Sequence, residues 1–309
     1  MNIVFMGTPI FAVPSLEKMI EKFNVTAVIT QPDKKKGRGN KVLFTPVKEI
    51  ALKHNIPVYQ PEKIRKDLDL INKLKELKPD FIVVVAFGQI LSQEILDIPK
   101  YGSINLHASL LPDYKGAAPI NWAIIKGEKK SGSTTMMMDA GLDTGDMLLK
   151  DEVNIGEDLT FGELHDLLKE RGADLLADTL IRYTKGEIKR IPQNKKDVFY
   201  AKMIDKEFCY INWNSCAKDI LNFVRGLSPN PCAKTHYKDK LMKIFKIKIT
   251  DENSNKAAGT ITDYDKSGIT VATLDKNIII EDIQMEGGKR LLVSEYIKGH
   301  QININDVLN

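Results

Sequence analysis

The sequence predicts an α/β protein: a Rossmann-like, mostly parallel sheet with helices on both faces, followed by a small C-terminal β-barrel of OB-like type. Three observations predict it. Continuous apolar, β-branched runs, of which Phe81–Ala86 is the strongest, read as strands buried on both faces. Segments with apolar residues at helical spacing alternate with those runs over the first two-thirds of the chain. After about residue 187 the pattern changes to short, evenly spaced strands separated by turns such as Lys266-Ser267-Gly268 and Glu286-Gly287-Gly288. The expected organisation is a first domain over residues 1–186, a linker over 187–206 and a second domain over 207–309. The linker opens in Gly186–Val198, which is rich in Lys, Gln, Asn and Asp.

Each element has a local reason. Ile3–Met6 is apolar without interruption and is closed by Gly7 and Pro9, so it reads as the first strand. Leu16, Met19, Ile20 and Phe23 share one face of a helix over 14–23, and Val25–Thr30 is the next strand. Thr45-Pro46 has the residue types of an N-cap and first helical position, opening a helix to about His54. Pro57–Tyr59 is a short strand, Asp67–Leu77 a helix stopped by Pro79, and Ser92 the cap of a short helix. Ser103–Leu106, Ser133–Met138 and Met147–Leu149 read as strands, with a helix over about Ala117–Lys126 between the first two. Thr160-Phe161-Gly162-Glu163 is a capping box for a helix to roughly Tyr183. In the second domain a helix is expected over Ser215–Val224, then strands over Leu241–Ile249, Ala258–Thr262, Ile269–Ala272 and Ile278–Ile283.

Composition narrows the class. The 309 residues are 43% hydrophobic and 28% charged, enough for a buried core in two domains and unlike a disordered chain. The formal net charge of +4 permits a polyanionic partner without requiring one. Cys209, Cys216 and Cys232 are odd in number and form no C-x-x-C pair, which argues against a disulfide framework or a zinc site and for a reducing compartment. No apolar run has the length of a membrane helix, and Met1–Gly7 reads as a strand, not a signal peptide. A cytoplasmic monomer that uses no metal is expected. Gly7-Thr8-Pro9 stands where a dinucleotide-binding protein would carry G-x-G-x-x-G, so NAD is not expected. Met136-Met137-Met138 reads as strand core.

Two stretches carry chemistry. Asn105 and His107 stand two apart at a strand's carboxyl end, so an amide and an imidazole face the same way where open α/β sheets bind ligands. The loop Leu110-Leu111-Pro112-Asp113-Tyr114-Lys115-Gly116 follows, with apolar residues able to wall a pocket for a flat ring. Asp139-Ala140-Gly141-Leu142-Asp143-Thr144-Gly145-Asp146-Met147 is a turn-rich loop between later strands and offers a carboxylate, Asp143. Amide, imidazole and carboxylate suit acyl transfer without a serine or cysteine nucleophile. By spacing alone, a lone histidine at a strand end is more often a satisfied polar residue. An aspartate in such a loop is more often turn chemistry or a cation ligand.

Asn105-Leu106-His107-Ala108-Ser109-Leu110-Leu111-Pro112 with Gly116-Ala117-Ala118-Pro119-Ile120 resembles the signature of the 10-formyltetrahydrofolate-dependent formyltransferases. Gly141-Leu142-Asp143-Thr144-Gly145-Asp146-Met147 is similar to that family's second signature. Phe5–Pro14, Thr30-Gln31-Pro32-Asp33 and Gly37-Arg38-Gly39 resemble those members that formylate initiator methionyl-tRNA, and the likeness covers essentially the whole chain. The resemblance implies that Asn105, His107 and Asp143 are catalytic and that 10-formyltetrahydrofolate is the formyl donor. It implies folate contacts along Phe87, Gly88, Gln89, Ile90 and Leu91, along Ser109, Leu110, Leu111 and Pro112, and at Asp139 and Gly141.

The basic segment Lys34, Lys35, Lys36, Arg38 and Lys41 has five cations within eight residues and two glycines. Its bland reading is a solvated loop; it also suits a flexible arm that meets phosphates. The resemblance implies that this arm enters the acceptor stem of the tRNA, with Arg38 able to grip a base or phosphate through its planar fork. It also implies a tRNA contact for the C-terminal barrel, where Lys234, His236, Lys238, Lys240, Lys243, Lys246 and Lys248 form a candidate basic face. Two departures stand out. Lys115 precedes Gly116 where the family more often has Arg, and Leu227–Cys232 has few of the aromatic residues usual there.

Overall fold

The computed structural model describes residues 1–36, 41–194 and 197–309. Strands in chain order are β1 (Asn2–Gly7), β2 (Asn24–Ile29), β3 (Lys34–Lys36), β4 (Lys41–Leu43), β5 (Val58–Tyr59), β6 (Phe81–Val85), β7 (Ser103–His107), β8 (Lys115–Gly116), β9 (Lys130–Met137) and β10 (Met147–Asn154). There follow β11 (Tyr200–Ala201), β12 (Ala233–Tyr237), β13 (Lys240–Asn253), β14 (Ile261–Asp265), β15 (Gly268–Ala272), β16 (Lys276–Met285) and β17 (Arg290–Leu292). The helices are α1 (Val13–Lys22), α2 (Pro46–Lys53), α3 (Leu68–Leu77), α4 (Gln93–Leu96), α5 (Pro119–Ile125), α6 (Phe161–Thr184), α7 (Ala217–Leu227) and α8 (Val293–Tyr296). The chain divides into two compact units, one of Met1–Gly116, Ser131–Val153 and His165–Tyr200, the other of Ala117–Lys130, Asn154–Leu164 and Ala201–Asn309. The division interleaves along the sequence, so two short inserts from the first two-thirds of the chain belong to the second unit.

The first unit is built on a seven-stranded sheet in the order β10-β9-β7-β6-β1-β2-β5. The pairs β1–β2, β1–β6, β6–β7 and β2–β5 are parallel, and β7–β9 is antiparallel. A mostly parallel sheet needs cover on both faces, and side chains along each strand alternate to supply it. Val4, Met6, Ala27, Ile29, Ile82 and Val84 pack with Ile71 and Leu74 of α3 and Ile95 of α4. On the other face Phe81 meets Tyr183 of α6 edge-on at 6.2 Å. Thr45 is the N-cap that its sequence position suggests, accepting from the N–H of Lys48 at 3.1 Å. Asp67 caps α3 in the same way, accepting from the N–H of Leu70 at 3.0 Å. Ser92 precedes α4, yet its hydroxyl makes no cap bond.

The expected arm of basic residues is partly regular. Lys34–Lys36 and Lys41–Leu43 pair as an antiparallel hairpin, while Gly37, Arg38, Gly39 and Asn40 lie outside the described residues. Its base is tied down. Lys48 reaches Asp33 at 2.5 Å and Gln60 at 2.7 Å, and Gln60 also donates to Asp33 at 2.8 Å. Burial opposes the charge on Asp33, but those donors outweigh it and hold the carboxyl below its usual range.

The second unit centres on an antiparallel sheet, β12-β13-β16-β15-β14, with β17 paired to β16. Met242, Ile244, Ile247, Ile269, Val271, Ile278, Ile280 and Ile283 form its core with Ile220, Val224 and Leu227 of α7. The strands β12 and β17 do not stand out from loop by sequence pattern, since His236 and the three-residue run Arg290–Leu292 carry little periodicity. Helices α5 and α7 approach closely at Gly226, where a Cβ would lie 2.6 Å from Ile125 Cγ1, and the buried Asn121 amide donates to the Gly226 carbonyl at 2.8 Å. Buried Arg225 donates to the carbonyls of Gly156 (2.9 Å) and Leu159 (3.2 Å), which holds that insert. Among the described residues no helix is long and apolar enough to cross a membrane.

Candidate active site

The carboxyl ends of β1, β2 and β6 are tied together before any site residue is reached. Thr8 Oγ1 and Gln31 Nε2 both donate to the Phe87 carbonyl, at 3.0 and 3.2 Å. The chain then turns through Ala86 (φ 47°) and Gly88 (φ 81°), which brings 89–91 across the end of the sheet. Gln89 anchors this turn by accepting from the Ile64 N–H at 2.8 Å and donating to the Pro61 carbonyl at 2.9 Å. Phe87 and Leu91 are core residues, 2% and 5% exposed, while Ile90 projects at 66% exposure.

Strand β7 ends on His107, with Asn105 half-buried two residues before it on the same face. In the antiparallel register Asn105 sits opposite Met136 and His107 opposite Thr134. The His107 ring is nearly covered. Its Nε2 lies 2.9 Å from the Tyr114 carbonyl, an acceptor, so this nitrogen carries the hydrogen. Its Nδ1 lies 3.7 Å from Asp143 Oδ1, a contact longer than a hydrogen bond. The other carboxylate oxygen, Oδ2, accepts from the Gly116 N–H at 2.9 Å. The three residues singled out by type and spacing are therefore brought to one end of the sheet, with His107 and Asp143 in direct contact.

Two loops complete the site. In the first, Ser109 Oγ donates to the Asp113 carbonyl at 2.8 Å, and Thr134 Oγ1 ties both the Ser109 carbonyl (2.7 Å) and the Leu111 N–H (3.1 Å). Leu111 is fully buried against Met136 and Met147, the Leu111-Pro112 bond is cis, and Leu110 is half-buried. The Lys150 ammonium donates to the Leu111 carbonyl, and burial pushes its pKa down against the pull of Asp113. In the second loop Asp139 Oδ1 accepts from the Gly141 N–H (3.0 Å) and the Thr144 hydroxyl (2.7 Å), which winds the turn that presents Asp143. Asp143 itself is left-handed at φ 52°. Gly145 allows the turn to close, because a Cβ there would lie 1.7 Å from the Met137 carbonyl oxygen.

Between the turn at 89–91 and the Asp143 loop is a cleft of about 100 Å³ lined by Gln89, Ile90, Leu91, Met136, Met138, Asp139, Ala140, Gly141, Leu142 and Asp143. It gathers the folate-contact candidates Gln89, Ile90, Leu91, Asp139 and Gly141 with the Asp143 carboxylate. Of the other candidates, Phe87 and Leu111 face the core, and Ser109 is 2% exposed and bonded within its own loop. Three groups that sequence reasoning misses also build the site: the Tyr114 carbonyl, the Gly116 N–H and Gln193, which holds the Asp143 loop. Backbone groups leave no mark in side-chain identity, and Gln193 is 50 residues from its partner. Among the described residues no cluster of His, Cys, Asp or Glu has the arrangement of a metal site.

Residues 1–180 match the family model for formyl transferase, and residues 203–301 match that for the formyl transferase C-terminal domain. A methionyl-tRNA formyltransferase from Clostridium beijerinckii is 59% identical over 309 residues, all of both chains. The chain belongs to the methionyl-tRNA formyltransferase family. Two solved structures share its fold at lower identity. A sugar 3-N-formyl transferase, solved with dTDP and 5-N-formyl-THF, has a TM-score of 0.66 at 21% identity, covering 91% of this chain and 97% of that one. HypX from Aquifex aeolicus, solved with tetrahydrofolic acid, has a TM-score of 0.61 at 17% identity, covering 98% of this chain and 50% of that one. At such identity these two speak for the fold of the formyltransferase alone.

Proposed function

We propose that this formyltransferase moves the formyl group of 10-formyltetrahydrofolate to the α-amino group of initiator methionyl-tRNA, for translation initiation, with Asn105, His107 and Asp143 as its catalytic groups. The observation that carries the reading is the His107–Asp143 contact at the end of β7, beside a cleft walled by Ile90, Leu91 and Leu142. The amine attacks the formyl carbon and forms the new C–N bond. The bond from that carbon to the folate N10 then breaks, and the proton lost by the amine ends on N10. Negative charge grows on the formyl oxygen between these steps. The Asn105 carboxamide and the His107 Nε2–H are the donors for it, the latter turning from the Tyr114 carbonyl that holds it at 2.9 Å. Asp143 steadies positive charge on the ring through Nδ1 and takes part in moving the amine proton. Both substrates meet in one site, so no covalent enzyme intermediate is required.

The pterin lies along Gln89–Leu91 in this reading, and the loop Ser109–Pro112 with Asp139 and Gly141 frames the formyl end. Of these groups, Ile90, Leu91, Gln89, Asp139 and Gly141 offer a face to the cleft. Phe87, Gly88, Ser109, Leu111 and Pro112 then act through backbone groups and loop shape. The tRNA is bound by the basic segment Lys34, Lys35, Lys36, Arg38 and Lys41, and by basic residues of the second unit. That second group divides by its pairing. Lys246 is paired with Glu281 at 2.9 Å and Lys238 with Asp306 at 3.3 Å, whereas Lys234 and Lys243 face each other across β12 and β13.

The test is transfer of labelled formyl from 10-formyltetrahydrofolate with charged initiator tRNA, charged elongator methionine tRNA or no acceptor. Label on the initiator alone is expected. Free formate with no acceptor labelled would mean that the site activates water, and the acceptor assignment would fall.

A further inference from the structure

The loop that presents Asp143 is held from outside by a segment that the reaction does not otherwise use. Met147 and Ile191 exchange two backbone hydrogen bonds of 2.9 Å, which zips the stretch after α6 to the first residue of β10. Two residues on, Gln193 Nε2 donates to the carbonyl of Asp143 at 3.0 Å and to that of Gly145 at 2.7 Å. The orientation of this amide is decided by its partners. With oxygen and nitrogen exchanged, a carbonyl oxygen would face two others. Its Oε1 is buried and has no hydrogen-bond partner among the described residues, so there the side chain acts through its two N–H donors. The conformation it holds is a costly one. Asp143 is a non-glycine residue at φ 52°, and such a residue keeps that conformation only when its surroundings fix it. Its own side chain is committed to Gly116 and His107 and cannot do so.

We infer that Gln193 is a positioning residue for the reaction: it clamps the backbone on both sides of Thr144 and so fixes the Asp143 carboxylate 3.7 Å from the His107 ring. The inference rests on the catalytic reading of Asp143. The stretch expected to be a linker thus supplies a part of the catalytic frame, not a connection only.

The test is Gln193→Met, which keeps length and removes both donors, with Gln193→Glu as the second variant, which keeps polarity but turns a carboxylate on two carbonyls. Each is measured alone and in an Asp143→Asn background, with kcat and both KM values taken from transfer to charged tRNA. Expected is a fall in kcat of about 10- to 100-fold in the wild-type background, the scale for a misplaced group, with both KM values unchanged. In the Asp143→Asn background the same substitution should do nothing further, because its effect passes through that carboxylate. An equal fall in both backgrounds overturns the inference, as does a change confined to KM or to thermal stability. If Asp143→Asn alone turns over like wild type, the catalytic reading of Asp143 fails and the inference fails with it, a result distinguishable from the first because Gln193 is intact.

Discussion

Strand β6 of the first unit is buried at all five positions, whereas β12 of the second alternates buried and half-buried residues. Both are strands, but the neighbours differ. The parallel sheet has helices over both faces, so nothing polar can be presented from its middle and chemistry is driven to the strand ends. That is where Asn105, His107 and the Asp143 loop lie. The antiparallel sheet has α7 on one face and leaves the other open, so it can spread charge along a surface. One unit thus concentrates a few groups with short, multiply tied loops, and the other distributes cations with few ties. On this contrast, damage at the strand ends of the first unit should change rate, and damage to the outer face of the second should change affinity and salt dependence.

The largest effect is expected at the strand end. On the proposed mechanism, Asn105→Ala or His107→Ala would remove a donor to the developing oxyanion and should lower kcat about 10²–10³-fold, with tRNA affinity intact. Single-turnover rates and filter binding on the same preparation check it. A variant that binds tRNA poorly but turns over normally would place the residue in recognition instead.

Next is Gly145→Ala. An added methyl would meet the Met137 carbonyl oxygen at 1.7 Å, and backbone must move to admit it. A loss of about 1–3 kcal/mol is expected from overpacking, along with lowered kcat as the Asp143 turn shifts. Denaturation with kinetics on one sample separates the two. Full activity with reduced stability would show that the turn tolerates the shift.

The open face gives the third. Lys234 and Lys243 are cross-strand partners, and like charges placed so oppose each other by about 0.2–1 kcal/mol. Lys234 also lies over the Tyr210 ring, 5.8 Å from its centroid, and Tyr210 stacks on His236 at 5.3 Å. Lys234→Ala with Lys243→Ala should weaken tRNA binding and flatten its salt dependence by about 0.7–0.9 in log–log slope for each phosphate that is no longer neutralised. The free protein should gain slightly in thermal stability, and kcat at saturating tRNA should stay put. An unchanged slope would remove this pair from the RNA-facing surface.

These cases show which parts are legible in the residues. The strands Ile3–Met6 and Phe81–Val85 announce themselves because burial on both faces leaves no room for polar alternation, whereas Ser103–His107 alternates polar and apolar residues. The caps at Thr45 and Thr160 are local chemistry and are readable as such. Asn105 and His107 can be paired by strand geometry, whereas Asp143 needs the fold to reach them. Hidden throughout are long-range ties: Gln193 to the Asp143 loop, Lys150 to the Leu111 carbonyl, and the inserts 117–130 and 154–164 that join the second unit. Each depends on a backbone acceptor or on packing, and neither has a residue type to betray it.

The smallest effect concerns how helices are capped in the two units. In the first, α2 and α3 are capped by their own preceding residues, Thr45 and Asp67. In the second, α7 has Cys216 at its N-cap with no side-chain bond, and the missing acceptor comes from the turn between β15 and β16. Asp275 Oδ1 accepts from the Ala217 N–H at 2.8 Å. That bond, with the Lys276 N–H and the Thr273 hydroxyl against a burial cost, holds the Asp275 carboxyl below its usual range. Asp275→Ala should therefore cost about 1 kcal/mol at neutral pH, the usual worth of a cap. Because the folded-state pKa is depressed, the charge-dependent part is complete above the unfolded carboxyl pKa of about 4 and is lost as pH falls through the folded value. The stability gap between wild type and Asp275→Ala should then narrow below about pH 4. A gap of equal size at pH values well above and well below that point would show that the side chain acts by packing and that the charge on the helix end contributes nothing.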